Sequence, residues 1–132
     1  SKCLRAQARW RDYQRFSVFV DSMTVGLGGI YEDPELSYDD KMSRREEIFT
    51  QALVRFDDEI APTLESVTFR GFRETSLNNA TLLSRIRYYH RLPDFALMLE
   101  ERGGDLAGLL EEFRTTIDTV SDPFDLLPEG TP

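Results

Sequence analysis

Apolar residues between positions 10 and 31 recur with the period of an α-helix. The stripe follows intervals of three or four residues and consists of Trp10, Tyr13, Phe16, Val20, Met23, Leu27 and Tyr31. Such spacing keeps side chains on one helix face, so it predicts a helix from residue 3 to about residue 31 with this stripe in the core. The other faces carry polar residues: Arg5, Arg9, Arg11, Asp12, Gln14 and Arg15. A glycine weakens a helix by about 1 kcal/mol relative to alanine. The glycines at 26, 28 and 29 therefore predict fraying or a stop near Gly26.

A second long helix is predicted after a turn at residues 32–35. Ser37 and Asp40 have the spacing of a capping box, in which the first side chain accepts a bond from the amide three residues later. Pro62 ends the helix because proline has no N–H to donate. The apolar face consists of Met42, Ile48, Phe49, Ala52, Leu53, Phe56 and Ile60. The helical period then lapses between Thr63 and Thr75, where Phe69 and Phe72 predict an irregular crossing that tucks aromatic rings under the helices.

Three shorter helices are predicted in the remainder. Asn78 or Asn79 caps the first of them and Pro93 ends it. One face of that helix carries Ala80, Leu83, Ile86 and either Tyr89 or His90. The next helix starts just after Pro93, which suits a first turn, and contains Phe95, Ala96, Met98 and Leu99. Gly103-Gly104 supplies a left-handed stop and Asp105 caps the last helix. Its predicted inward side chains are Leu106, Leu109, Leu110, Phe113 and Ile117.

The predicted fold is all-α with about five helices. Two long antiparallel helices precede the aromatic crossing and the three shorter helices. Residues 1–120 are expected to form a single helical domain, followed by an irregular proline-containing tail at 121–132. A length of 132 residues fits one domain with a substantial core.

Charge and composition narrow the classes of function. The chain has 16 basic and 24 acidic residues and a net charge of −8. This balance argues against nucleic-acid binding, which usually requires a clustered positive field. Cys3 is the single cysteine and cannot form an internal disulfide. No apolar run approaches the length that spans a bilayer and no signal peptide is recognisable. The start at Ser-Lys rather than Met suggests a fragment, or a processed or tagged chain.

The residues do not assemble a complete enzyme by themselves. A zinc peptidase helix needs two histidines one turn apart, and the chain has only His90. The acidic doublets lack the spacing of a metal-binding loop. No serine elbow or phosphate-binding glycine loop is present. Residues 76–95 contain the densest polar and aromatic cluster, in which Arg85, Arg87 and Arg91 either pair with acids or grip a carboxylate or phosphate.

The same stretch resembles a family of bacterial proteins described as predicted zinc aminopeptidases. The resemblance extends over roughly residues 10–117 and is carried by residues in a fixed order: Leu77-Asn78-Asn79-Ala80, Tyr88, Pro93-x-Phe95, Gly103-Gly104-Asp105 and Phe113, with Leu27, Tyr31, Leu36, Arg45 and Ile48 upstream. It implies that the chain corresponds to the C-terminal third of such proteins. Their His-Glu-x-x-His helix and glutamate ligand would then precede residue 1, so zinc would belong to the longer protein and this chain would be inactive alone. A periplasmic or lipoprotein-anchored location is also implied.

By this resemblance three residues are expected to face a substrate cleft. Tyr88 is the catalytic candidate, because a phenol can stabilise the oxyanion formed during peptide hydrolysis. Asn78 and Asn79 are the candidates for substrate binding, since an amide both donates and accepts hydrogen bonds. The structural alternative is that an asparagine caps the helix and Tyr88 only packs.

The expected partner under this interpretation is a peptide substrate bound through the longer protein. No nucleic-acid partner is expected. The alternative function is a non-enzymatic helical interaction module, either a homo-oligomer or a binder of a basic protein. It is motivated by the negative charge and the two long amphipathic helices.

Overall fold

The chain is mainly helical over residues 1–128, which are the residues the computed structural model describes. Its helices are α1 (Lys2–Glu32), α2 (Tyr38–Arg55), α3 (Arg70–Glu74), α4 (Asn79–Tyr89), α5 (Leu92–Glu101) and α6 (Leu106–Thr116). No β-strand occurs within these 128 residues. The all-α prediction is confirmed, and its five helices are α1, α2, α4, α5 and α6. The five-residue α3 lies inside the predicted irregular crossing and was not anticipated. None of the helices so described is long and apolar enough to span a membrane.

Contacts divide the chain into two compact units, Ser1–His90 and Arg91–Pro132. The second unit is described as far as Pro128, so the last four residues of the predicted tail lie outside the described part. A single domain over residues 1–120 stays a prediction.

Helix α1 runs without interruption through its three glycines, and the predicted stop near Gly26 is wrong. Packing explains the difference. A Cβ built on Gly26 would lie 3.3 Å from Cδ1 of Ile48, so the missing side chain lets α2 approach α1 closely at this point. The gain from this contact offsets the low helix propensity of glycine.

Helix α2 returns antiparallel to α1. Lys41 near its start donates a 2.7 Å bond to the carbonyl of Tyr31, and Phe56 just beyond its end packs against Phe19. Ser37 caps α2 as predicted, accepting a bond from the amide of Asp40. The helix continues as a π segment, Phe56–Ile60, and a 3₁₀ turn, Ala61–Thr63, that contains Pro62.

Aromatic rings form the centre of the first unit. Phe16 stacks on Phe69 with ring centroids 4.0 Å apart and meets Phe72 and Tyr89 edge to face. Each buried phenylalanine contributes roughly 1.5–3 kcal/mol through burial. The crossing therefore does tuck its rings under the helices, as predicted.

Two predicted inward sets need correction. On α4 the core side chain is Leu82, with Ile86 and Tyr89 packed beside it, whereas Ala80 is exposed and Leu83 is 65% exposed. On α6 only Leu109 is buried and Phe113 packs beside it, while Leu106, Leu110 and Ile117 are exposed. On both helices the apolar stripe is wider than the surface that neighbouring elements cover. The stripe therefore predicts the helix, but the packing of its neighbours decides which side chains of the stripe are buried.

In the second unit the helices begin and end close to the residues predicted to start, stop and cap them. Pro93 lies in the first turn of α5, Gly103 and Gly104 adopt φ values of 64° and 81°, and Asp105 caps α6 through the amide of Gly108. Leu127 is buried against the small core of this unit. The described part of the tail is thus held by an apolar contact.

Candidate functional site

A buried carboxylate fixes the crossing onto α1. Asp12 is fully buried and accepts bonds from three successive backbone amides, those of Glu65, Ser66 and Val67, at 2.7–2.9 Å. Burial is the largest single effect on its pKa and raises it. The hydrogen bonds together outweigh that effect, so the pKa of Asp12 is lowered. The helical pattern predicted Asp12 on a polar face of α1, and this prediction is wrong because Asp12 is buried.

Two arginines of α1 hold the same segment from outside. Arg11 forms a two-pronged ion pair with Glu65 at 2.9 and 2.6 Å, and Arg15 bonds Glu65, Asp12 and the carbonyl of Thr63. The hydrogen bonds from Arg11 and then Arg15 lower the pKa of Glu65 to about 2. This network makes residues 63–67 a rigid part of the first unit.

Helix α4 lies antiparallel to α1, and an apolar groove runs between the two helices. Its volume is about 310 Å³. We call it the α1–α4 groove; it is lined by Thr24, Leu27, Gly28, Tyr31, Asn79, Leu82, Leu83 and Ile86. The antiparallel arrangement brings Tyr31, at the end of α1, to the start of α4, and the ring of Tyr89 to Tyr13 and Phe16. Burial raises the pKa of Tyr89, with a smaller contribution from Tyr13.

The two predicted substrate-binding asparagines lie side by side at the start of α4. Asn78 is the cap: its side chain accepts a bond from the amide of Thr81, whose hydroxyl in turn accepts from the amide of Asn78. Asn79 instead exchanges hydrogen bonds with the hydroxyl of Tyr31, at 2.8 and 3.2 Å. The Tyr31–Asn79 pair is exposed and forms the polar rim of the α1–α4 groove. The side chain of Asn78 is therefore engaged in the cap, and Asn79 is the one at the groove.

The predicted catalytic residue, Tyr88, lies away from this rim. It is 69% exposed near the end of α4. Nine residues separate it from Asn79, which corresponds to about 180° of rotation and roughly 13 Å of rise. The structure thus brings the two asparagines together and places Tyr88 on the opposite face of the helix.

The three arginines of the predicted cluster have different surroundings, each described within its own unit. Arg91 pairs with Asp94 and donates to the carbonyls of Phe124 and Pro128 within the second unit. Arg85 lies against Gly71, and Arg87 is exposed. Neither Arg85 nor Arg87 forms an ion pair within the described residues. The alternative in which these arginines pair with acids holds for Arg91 only.

The sequence patterns did not reveal a close polar contact of the single histidine. Nδ1 of His90 lies 2.6 Å from Oδ1 of Asp21, and both side chains are about three-quarters buried. Within residues 1–128 no three His, Cys, Asp or Glu side chains are grouped so that they could hold a metal ion. The donors that the structure describes do not fit a zinc site, and no catalytic step is assigned to a metal on them.

Comparison with known proteins matches the chain to a family. A family model described as "Putative aminopeptidase" matches residues 2–122, which is most of the chain. The chain belongs to this family. No curated protein and no solved structure matches it significantly. The aminopeptidase-family match includes the whole α1–α4 groove and all three predicted site residues.

Proposed function

We propose that the chain is the helical C-terminal domain of a zinc-dependent aminopeptidase, to which it contributes a cleft wall and substrate contacts. The observation that carries the proposal is the aminopeptidase-family match over residues 2–122. Because the described donors of this chain do not fit zinc, the proposal assigns the metal ligands to other parts of a longer bacterial protein. Zinc would there activate water for attack on the peptide bond.

The substrate contacts are assigned to the α1–α4 groove. Its apolar walls suit an apolar side chain of a peptide, and the Tyr31–Asn79 pair at the rim offers both a donor and an acceptor to the peptide backbone. A peptide amide would replace one of the two mutual hydrogen bonds of the exposed pair. Asn78 supports this arrangement by capping α4 and holding Asn79 in place.

Tyr88 enters the proposal as an oxyanion donor on a different wall. Its exposure leaves the hydroxyl accessible, and its position opposite Asn79 means that the remainder of the protein would have to complete a second side of the cleft. Asn79 and Tyr88 are therefore tested separately.

A peptidase assay on the complete gene product tests the proposal. Aminoacyl chromogenic substrates should be hydrolysed, a chelator should abolish the hydrolysis and added zinc should restore it. Hydrolysis that is unaffected by chelation contradicts the zinc assignment. If the activity is sensitive to chelation but is unchanged in Asn79→Ala, the protein is still a metal-dependent peptidase, and the α1–α4 groove does not bind its substrate.

A second function is favoured by one feature of the second unit. Leu106 and Leu110 lie one turn apart on α6, and each is more than half exposed. Such a face suits a homo-oligomer or a protein partner. Light scattering of the chain and of its Leu106→Glu/Leu110→Glu variant distinguishes the cases: a dimer that dissociates in the variant supports the interaction module, and a monomer in both counts against self-association.

A further inference from the structure

Positive charge is concentrated at the beginning of the chain. Residues 1–11 contain Lys2, Arg5, Arg9 and Arg11 and no acid, since Asp12 is the first acidic residue. Because the whole chain carries −8, the remaining residues together carry −12. The first three turns of α1 are thus a cationic patch on a strongly acidic protein.

Three of these cations line one cleft. Lys2, Arg5 and Arg9 follow intervals of three and four residues, which places them on one face of α1. Together with Trp10, Tyr13 and Ser66 they surround a concave space of about 530 Å³, which we call the α1 cleft. It shares no lining residue with the α1–α4 groove.

The cations of the α1 cleft are not consumed by internal ion pairs. Arg11 and Arg15, further along α1, are both bound to Glu65. Within residues 1–128, by contrast, Lys2, Arg5 and Arg9 form no ion pair or side-chain hydrogen bond. Their charge is available to a ligand.

An aromatic side chain completes the surface. Trp10 is 38% exposed in the wall of the α1 cleft, although the sequence stripe predicted it in the core. Partly exposed tryptophan and arginine are the residue types that most often dominate the binding energy of protein interfaces. Arginine also binds carboxylates through two parallel hydrogen bonds.

We propose that the α1 cleft docks an acidic peptide segment that also carries an apolar side chain. Lys2, Arg5 and Arg9 bind the carboxylates, and Trp10 packs against the apolar side chain. Charge complementarity selects the occupant. An anionic membrane or a nucleic acid would present an extended negative surface to the −12 of the rest of the chain and be repelled, whereas a short peptide enters the cleft alone.

The single tryptophan allows a direct test on the chain as it stands. Because Trp10 lies in the cleft wall, its fluorescence should change and saturate on titration with an acetylated, amidated peptide of alternating glutamate and leucine. Calorimetry gives the same Kd independently. The peptide with lysine in place of glutamate should not bind, and Kd should rise with salt because screening weakens the ion pairs.

Charge-reversal variants decide where the peptide binds. Arg5→Glu/Arg9→Glu should raise Kd by at least roughly tenfold. Arg5 and Arg9 are exposed and form no ion pair within residues 1–128, so the fold should persist, as far-UV circular dichroism can verify. Arg5→Gln/Arg9→Gln is a second variant with a smaller change in charge. The matched control is Arg44→Glu/Arg87→Glu, which makes the same charge change elsewhere on the surface, at two exposed arginines that form no ion pair with the described residues.

Three outcomes would overturn the proposal. Equal weakening by the cleft pair and the control pair would show a general charge effect. Binding to vesicles containing phosphatidylserine, without binding to the acidic peptide, would identify a membrane instead. Absence of heat and of any Trp10 fluorescence change would remove the site. None of these measurements uses peptidase activity, so they are independent of the proposed enzymatic function.

Discussion

The carboxylate of Asp12 accepts a 2.7 Å hydrogen bond from the backbone amide of Ser66, 54 residues further along the chain. The amides of Glu65 and Val67 point at the same carboxylate, so one buried charge satisfies three donors of an otherwise irregular segment. A backbone without regular structure cannot pair its own amides, and burying them unpaired would be costly. Asp12 thus anchors the crossing that delivers Phe69 and Phe72 to the core.

Replacing this carboxylate should destabilise the first unit. Asp12→Asn keeps the size of the side chain but turns one acceptor into an NH₂ group that faces an amide donor. We expect the free energy of unfolding to fall by about 1–3 kcal/mol. Urea denaturation measures it. Asp58→Asn is the matched control, since Asp58 is exposed and should change stability by less than about 0.5 kcal/mol. Equal effects of the two changes would contradict the anchoring role.

Acid should weaken the same network. Glu65 has an ordinary pKa of 4.5 that the bonds from Arg11 and Arg15 lower to about 2, and the pKa of Asp12 is also lowered. The folded state therefore binds these protons less readily than the unfolded chain. The stabilisation is fully present above the unfolded pKa and is lost as the pH falls through the folded values. Urea unfolding from neutral pH to about pH 2 should show this loss, and Glu65→Gln should flatten the curve. If the free energy of unfolding of Glu65→Gln depends on pH as steeply as that of the parent, Glu65 does not contribute to the loss of stability in acid.

A glycine of α1 offers a gain in stability. A Cβ on Gly29 would meet nothing within 4 Å, so Gly29→Ala adds helix propensity without a clash and should stabilise by roughly 0.5–1 kcal/mol. Gly103→Ala is the contrasting control because φ is +64° there, a conformation that alanine rarely adopts. It should lower the melting temperature, whereas Gly29→Ala should raise it. A loss of stability in Gly29→Ala would mean that this part of the surface is covered in solution.

The free energy of unfolding distinguishes the role of Asn78 in the cap of α4 from that of Asn79 at the rim of the α1–α4 groove. Asn78→Ala removes the cap of α4 and should cost about 1 kcal/mol. Asn79→Ala removes only the exposed, mutual hydrogen bonds with Tyr31 and should cost less. In the complete gene product we expect Asn79→Ala to raise KM. An equal loss of stability from both changes would assign Asn79 a structural role as well.

Tyr88 is tested by removing its hydroxyl in the complete gene product. Tyr88→Phe should leave unfolding within about 0.5 kcal/mol of the parent, because the ring is exposed. If the hydroxyl stabilises an oxyanion, kcat should fall with little change in KM. Tyr38→Phe is the control, at a tyrosine that is 74% exposed on α2. An unchanged kcat for Tyr88→Phe would remove it from the catalytic residues.

Local chemistry made much of the fold predictable. Ser37, Asn78 and Asp105 cap helices because a short polar side chain reaches the amide three residues on, and Gly103-Gly104 stops a helix because glycine tolerates positive φ. These effects depend on neighbours in sequence, so a pattern is enough to find them. The burial of Asp12 could also have been predicted, because it precedes Phe16 by one helical turn and so lies on the buried face. Its charge instead suggested a solvated position.

By itself, the sequence determined the helical class, the order of the five main helices, the caps at Ser37 and Asp105 and the resemblance that the family match supports. Only the tertiary structure decided that Leu82 rather than Leu83 enters the core, that α1 continues past Gly26, that Asp12 is buried and that Trp10 lines a cationic cleft. The physical reason is that caps and periods act over one turn of chain. Burial, by contrast, depends on which distant segment arrives to cover a surface, and the residues that meet Asp12 lie more than fifty positions away.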